Sequence, residues 1–290
     1  MKKSYRVDIH LHSQASDGVW TAGELVDEVE KEGVELFAVT DHNSVESVAA
    51  AHSEATRRGL YFLRGIEFDT SFEGNNYHIL GYDIDIAHPS IRQLASHNLA
   101  LAEERDEKTL QILEDRGYRI DRSAFEAYAH DPSRGGWKFL SFCIDEGICR
   151  DASDFFTRIF NEEQPLPYPI YRHPGEAVRS IEEAGGVPVL AHPYGSIGGG
   201  YPADRLPVFC SLAEAGIRGL ECYSSYHSKE QTEAARSFCM ERGLLITGGS
   251  DSHGPFTAKR KLGRPCVSTE DLRLGDLTER AGLPAPAVSR

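Results

Sequence analysis

Leu36-Phe37-Ala38-Val39-Thr40 is a short, unbroken apolar run followed at once by Asp41 and His42, and the same arrangement recurs along the chain. A run this short and this apolar suits a strand covered on both faces. Comparable runs lie at Arg6 to His12, Tyr61 to Phe68, Tyr77 to Tyr82, Val187 to His192, Gly219 to Tyr223 and Leu244 to Thr247. Helical patterns separate most of them. Thr21-Ala22-Gly23-Glu24 has the form of a capping box and opens a helix ending near Gly33; others are predicted over Ser44 to Arg58, Gly175 to Ala184, Ala203 to Ala215 and Lys229 to Arg242. The alternation predicts an α/β fold of parallel strands joined by crossover helices.

From His88 the strand pattern stops. A charged helical stretch, Ile91 to Arg116, leads into shorter helical pieces at Arg122 to Tyr128, Phe139 to Glu146 and Ala152 to Phe160. Gln164-Pro165-Leu166-Pro167-Tyr168-Pro169 cannot continue a helix and is expected to return the chain to the sheet. The chain thus divides into a barrel at 1–87 and 171–275, a helical insertion at 88–170 and a proline-containing C-terminal tail at 276–290. Its 290 residues fit one α/β barrel of about 250 residues enlarged by an insertion.

Composition sets further limits. A 40% hydrophobic share excludes a disordered chain, and no apolar run is long enough to span a bilayer. The N-terminus lacks the pattern of a signal peptide, and six scattered cysteines without a C-x-x-C pair suit a reduced, cytoplasmic protein in which they act as small buried apolar groups. The net charge of −14 opposes attraction to a phosphate polymer or an anionic membrane. Any phosphate must therefore meet a local positive feature.

The chemistry gathers at the strand ends. Along Arg6 to His12, strand geometry places Asp8, His10 and His12 on one face, the histidines about 7 Å apart. Alone, such a pair is either two polar strand residues or half of a metal site. Asp8 is read as an orienting partner for them. The other strands end in Thr40-Asp41-His42, Gly65-Ile66-Glu67, Ala191-His192-Pro193 and Ser250-Asp251-Ser252-His253, and one carries His78; Gly219 to Tyr223 is read as lacking a ligand. Carboxyl ends of parallel barrel strands converge on one face, where so many buried ionisable groups are costly unless they hold a cation.

This ordered set, together with Ser16-Asp17-Gly18, resembles the polymerase-and-histidinol-phosphatase (PHP) family of metal-dependent phosphoesterases over roughly residues 6–85 and 172–270. The resemblance implies a distorted (β/α)7 barrel with a helical insertion and a site for three divalent ions. Carried across by position, it implies that His10, His12, Glu67 and Asp251 hold one ion, Glu67, His78 and His192 a second, and Asp17, His42 and His253 a third. Nitrogen and oxygen donors without thiolate suit Mn, Fe or Zn. The ions would be the positive feature that the acidic chain needs. A hydroxide bridging two of them would attack phosphorus. Alongside Asp251, His227 is the catalytic candidate, as general acid or phosphate contact, against the alternative of a surface-loop histidine.

The expected partner is a small phosphorylated substrate, a nucleotide or sugar phosphate monoester or a cyclic phosphodiester, with no long nucleic acid and no membrane. Relatives that act on nucleotides carry basic residues in the insertion. Here the match weakens: the corresponding stretch is Gly136-Trp137-Lys138-Phe139-Leu140-Ser141, with Gly136 where the relatives' first Arg stands, and Lys138, Arg134 and Arg172 remain as the expected phosphate contacts, with Trp137 as a stacking surface. Two alternatives are an exonuclease acting 3′-5′ or 5′-3′ on short RNA or DNA ends, and a non-catalytic degenerate metal-binding module. The Gly195 to Gly200 loop is read either as an anion-binding backbone or as a plain loop.

Overall fold

The computed structural model describes residues 3–195, 205–257 and 259–284. The order begins β1 (Arg6–Leu11), α1 (Ala22–Lys31), β2 (Leu36–Val39), α2 (Val48–Arg58), β3 (Tyr61–Phe72) and β4 (Asn75–Tyr82). The insertion follows: α3 (Pro89–Asp115), α4 (Arg122–Ala127), α5 (Lys138–Asp145) and the single turn α6 (Ala152–Asp154), which widens into a π-turn at Phe155–Ile159. The chain then resumes with α7 (Pro174–Glu183), β5 (Val187–Leu190), α8 (Leu206–Glu214), β6 (Gly219–Ser224), α9 (Lys229–Arg242), β7 (Leu245–Gly249), β8 (Val267–Ser268) and α10 (Leu277–Arg280). The capping box at Thr21 and Glu24 forms as its sequence predicts. The start of the predicted helix at Ala203 and most of the Gly195 to Gly200 loop lie outside the described residues.

The strands run β7-β6-β5-β4-β3-β2-β1-β8 in one curved sheet, a distorted barrel. It departs from a purely parallel wall at β4, which is antiparallel to both β3 and β5. Glu73 and Gly74, both with positive φ, join β3 to β4 in a two-residue turn, and such a turn can link only antiparallel strands. The wall closes where the segment after β7 meets β1: His12 N–H donates to Ser252 O (3.0 Å) and Asp251 N–H to His10 O (2.9 Å). The short strand β8 pairs antiparallel with the other half of β1, at Arg6 and Val7.

Side-chain alternation sorts the apolar residues into two layers. Val7, Ile9, Leu36, Ala38, Leu63, Leu80 and Val189 fill the lumen, while Phe37, Val39, Phe62 and Ile79 pack under the surrounding helices. Leu277 and Leu283 join the lumen cluster beside Leu274, so the tail, despite its weak periodicity, supplies buried core. The insertion has its own core, in which Leu110 and Leu113 of α3 meet Phe125, Phe139, Phe142 and Phe155. The returning segment docks on β3 through Tyr171 N–H to Ser71 Oγ (2.9 Å) and Ser71 N–H to Arg172 O (3.1 Å).

Candidate metal centre

A register shift between Asp8 and Leu11 changes what β1 presents. Val7 and Ile9 face the lumen, the extra residue resets the alternation, and His10 follows inward while Leu11 joins the outer layer with Val39. Asp8 pairs with outward-facing Phe37, so the expectation that it shares a face with the histidines is corrected. Its carboxylate instead accepts Ser250 N–H (2.8 Å) and Gly263 N–H (2.7 Å), fixing the backbone next to Asp251. Burial, opposed by those bonds, raises its pKa to about 6.

Asp41 organises the loop after β1. Its oxygens accept Ser13 N–H, Ser13 Oγ–H and Ser16 Oγ–H, each at 2.7 Å, and the Ser47 hydroxyl. That loop carries Asp17 toward His253, whose Nε2 stands 3.0 Å from Asp17 Oδ1 while Nδ1–H donates to Asp251 O (2.9 Å). Asp251 and His192 both adopt positive φ, a conformation that ordinary residues avoid and that functional sites tolerate. Gly249 is required for close approach, since a Cβ there would lie 2.3 Å from the Cβ of His10.

Among the described residues the fold brings the nine sequence-derived candidates together in overlapping groups: His10, His12, Glu67 and Asp251; Glu67, His78 and His192; and His12, Asp17, His42 and His253; a fourth group joins His42 and His78 to Asp69, which the sequence reading did not include. Glu67 lies at the centre, fully buried. Its Oε2 is 3.1 Å from His10 Nε2 and 3.2 Å from His12 Nε2, and its Oε1 is 2.9 Å from His78 Nδ1 and 3.1 Å from His192 Nε2. Burial opposes its charge, but the surrounding imidazoles hold its pKa well below the ordinary value. Burial likewise opposes charge on the rings, yet nearby carboxylates raise His42 to about 10 and His78 to about 9.

These residues fit divalent ions. His12 Nε2, Asp17 Oδ1, His42 Nδ1 and Asp251 Oδ1 are buried without a hydrogen bond of good geometry, although His12 Nε2 lies 3.0 Å from Asp251 Oδ1 and Asp17 Oδ1 lies 3.0 Å from His253 Nε2. Unpartnered lone pairs that converge in this way are costly unless a cation receives them. No cysteine joins the groups; four of the six are buried.

Sequence reasoning missed four charged residues. Glu221, on the strand read as lacking a ligand, is fully buried; Oε1 accepts from His10 Nδ1–H (2.9 Å) and Oε2 from His192 N–H (2.7 Å). It thereby turns His10 Nε2 toward Glu67, and a lone acid within an apolar strand was the available signal. Replacing Glu221 by Gln is expected to weaken metal affinity by about 10–100-fold, measured by titration with a competing chelator. Asp69 lies 3.0 Å from His78 Nε2 and is held through Oδ2 by the Asn43 amide (2.6 Å); β3 continues past Phe68, so it follows Glu67 on the same face. Arg260 and Arg105 line the cleft over the centre and belong to no motif.

The expected substrate contacts are placed unevenly. Trp137 lines that cleft of about 630 Å³, whereas Lys138, Arg134, Arg172 and His227 do not. Arg134 is paired with Asp145 (2.7 Å), Lys138 Nζ donates to Glu126 O (3.2 Å), and Arg172 faces Glu176 (3.9 Å). His227 donates from Nδ1 to Cys222 O (2.9 Å) and accepts Tyr194 N–H at Nε2 (3.3 Å), so both nitrogens are engaged by backbone. Burial lowers its pKa, which suits a neutral ring with one donor and one acceptor.

A barrel whose strand ends gather six histidines and several carboxylates, with several donor atoms unpartnered, has the donor set of a multinuclear metal centre. The PHP domain family model matches residues 8–145. The chain is 30% identical over 275 residues to a 3′,5′-nucleoside bisphosphate phosphatase of Chromobacterium violaceum, covering 92% of each. It is 28% identical over 256 residues to a 5′-3′ exoribonuclease of Haemophilus influenzae, covering 88% of this chain and 92% of the relative. It is also 28% identical over 257 residues to a phosphoribosyl 1,2-cyclic phosphate 1,2-diphosphodiesterase of Eggerthella lenta, covering 86% and 94%. The protein belongs to the PHP-domain family of metal-dependent phosphoesterases. Among the described residues, no helix is long and apolar enough to cross a membrane.

Proposed function

We propose that the protein hydrolyses phosphate esters of small metabolites, nucleotide or sugar phosphate monoesters or cyclic phosphodiesters, at the three residue groups around Glu67. The observation that carries this reading is the convergence of unpartnered donor atoms at the base of a cleft whose volume, about 630 Å³, suits a small molecule. When bound, divalent ions of the Mn, Fe or Zn type supply Lewis acidity toward phosphoryl oxygens and lower the pKa of water. Glu67 would be shared between two ion sites, and Asp17 with His42 and His253 would complete a third. Glu221 and Asp69 fix ring orientations at His10 and His78. Arg260, whose Nη1 is paired with Asp251 Oδ2 (2.5 Å), lies in the cleft wall, where its other N–H groups would donate to a phosphoryl oxygen. His227 takes a positioning role, tying Tyr194 to the end of β6.

The test uses Mn²⁺-loaded protein against AMP, ribose 5-phosphate, a ribose cyclic phosphodiester and a short RNA. Release of phosphate or ring opening with the small esters, lost on chelation, is expected. Stepwise cleavage of the RNA at higher efficiency would transfer the assignment to an exonuclease, the activity named for the Haemophilus influenzae relative. A net charge of −14 supports the small substrate, because a polymer track gains its affinity from phosphate neutralisation.

A further inference from the structure

The part of the cleft formed by the insertion differs in kind from its metal-lined base. Its wall is Leu99, Ala102, Trp137, Phe156, Phe160 and Tyr168. Leu99 is 48% exposed and Phe156 44% exposed, so large apolar side chains open onto the cavity instead of filling the insertion core. Trp137 and Phe156 have ring centroids 6.0 Å apart, a tilted aromatic pair at one edge of the cavity.

Charge in this part is nearly cancelled. Arg105 is its cation, and the guanidinium is committed: Nε (3.0 Å) and Nη2 (2.7 Å) both donate to Asp106 Oδ1. Both side chains are 14% exposed, and the Arg105 guanidinium carbon lies 5.2 Å from the Trp137 ring centre. The pairing neutralises the cation and locks it, while Nη1 retains hydrogen-bonding capacity for an uncharged acceptor. Glu162 adds a negative charge to the lining. A second dianionic phosphate placed here would meet no uncompensated positive charge among the described residues.

We propose that this region is a subsite for the leaving group, and that it selects a planar, uncharged ring, the base of a nucleoside monophosphate, over a sugar alone and over a nucleoside carrying a second phosphate. The inference rests on the phosphoesterase reading for the reacting phosphate, but the subsite itself is defined by Trp137, Tyr168 and the Arg105–Asp106 pair. Aromatic faces accept a base by stacking, and a neutralised guanidinium edge supplies a hydrogen bond to a ring carbonyl or nitrogen.

The experiment compares kcat/KM of the Mn²⁺-loaded full chain for AMP, ribose 5-phosphate and adenosine 3′,5′-bisphosphate, with adenosine binding followed separately by tryptophan fluorescence. AMP is expected to exceed ribose 5-phosphate by about 10–100-fold, mainly through KM, the size of one stacked base. The bisphosphate is expected to be no better than AMP. Trp137→Leu should bring the AMP to ribose 5-phosphate ratio close to one, and Asp106→Asn, which frees the charge of Arg105, should improve the bisphosphate relative to AMP. Equal use of AMP and ribose 5-phosphate by the unaltered protein, or a preference for the bisphosphate, would overturn the proposal. If no ester is turned over, the hydrolase reading fails and the subsite is judged by adenosine alone: saturable quenching, lost in Trp137→Leu, supports it, and its absence refutes it.

Discussion

Replacing Glu67 by Gln should lower turnover by roughly 10³-fold or more and release bound metal, because its two oxygens serve both sides of the centre. Oε2 faces His10 and His12 and Oε1 faces His78 and His192, all within 3.2 Å. An amide would offer one oxygen where the two ion sites would each take one, and would remove the negative charge that bound ions would balance. Several kcal/mol of transition-state stabilisation then disappear together. Metal content by mass spectrometry, measured beside activity, separates this from a simple folding defect. A Gln variant that keeps its full metal complement and its activity would remove Glu67 from the shared position.

A second large effect is expected in the pH dependence of stability without metal. His42 and His78 are raised from 6.5 to about 10 and about 9 by carboxylates that overcome burial, so the folded state binds protons more tightly than the unfolded chain. The resulting stability is fully present below about pH 6.5 and is lost as pH rises through 9 and 10, a change on the order of several kcal/mol. Metal replaces those protons, so the loaded protein should show the opposite trend in ion affinity, which weakens as pH falls and the rings reclaim protons. Thermal melts from pH 6 to 10, with and without Mn²⁺, should therefore diverge as pH rises. Parallel curves would contradict the assignment of these rings as ion ligands.

His42, Glu67, His192 and Asp251 stood out because each follows or closes a strong apolar run, where barrel geometry leaves a single face for them, whereas Asp17, in a loop, and His78, near the start of its run, were picked out by the ordered family motifs. Glu221 was not, since a strand read alone does not reveal that its acid reaches His10 two strands away. Asp8 was placed on the wrong face because an extra residue in β1 leaves no trace in an alternating pattern. The reversed direction of β4 was readable in hindsight from Glu73-Gly74, a turn too short for a crossover. Arg105 and Arg260 were invisible because surface-like arginines acquire meaning only when helices and loops fold over a cleft. Lys138 and Arg134 were expected to meet phosphate, yet their charges are directed to neighbours within the insertion.

At the seam that closes the barrel, His12 and Asp251 each give one backbone N–H across it, and Ser250 N–H reaches the Asp8 carboxylate. His10 and His12 lie on one side of that seam and Asp251 on the other, about 240 residues later in the chain, yet all three belong to the group around Glu67. An ion held there would act as a latch between the two ends of the chain. Loading would then be coupled to closure of the wall, and loss of metal would loosen the barrel at this seam.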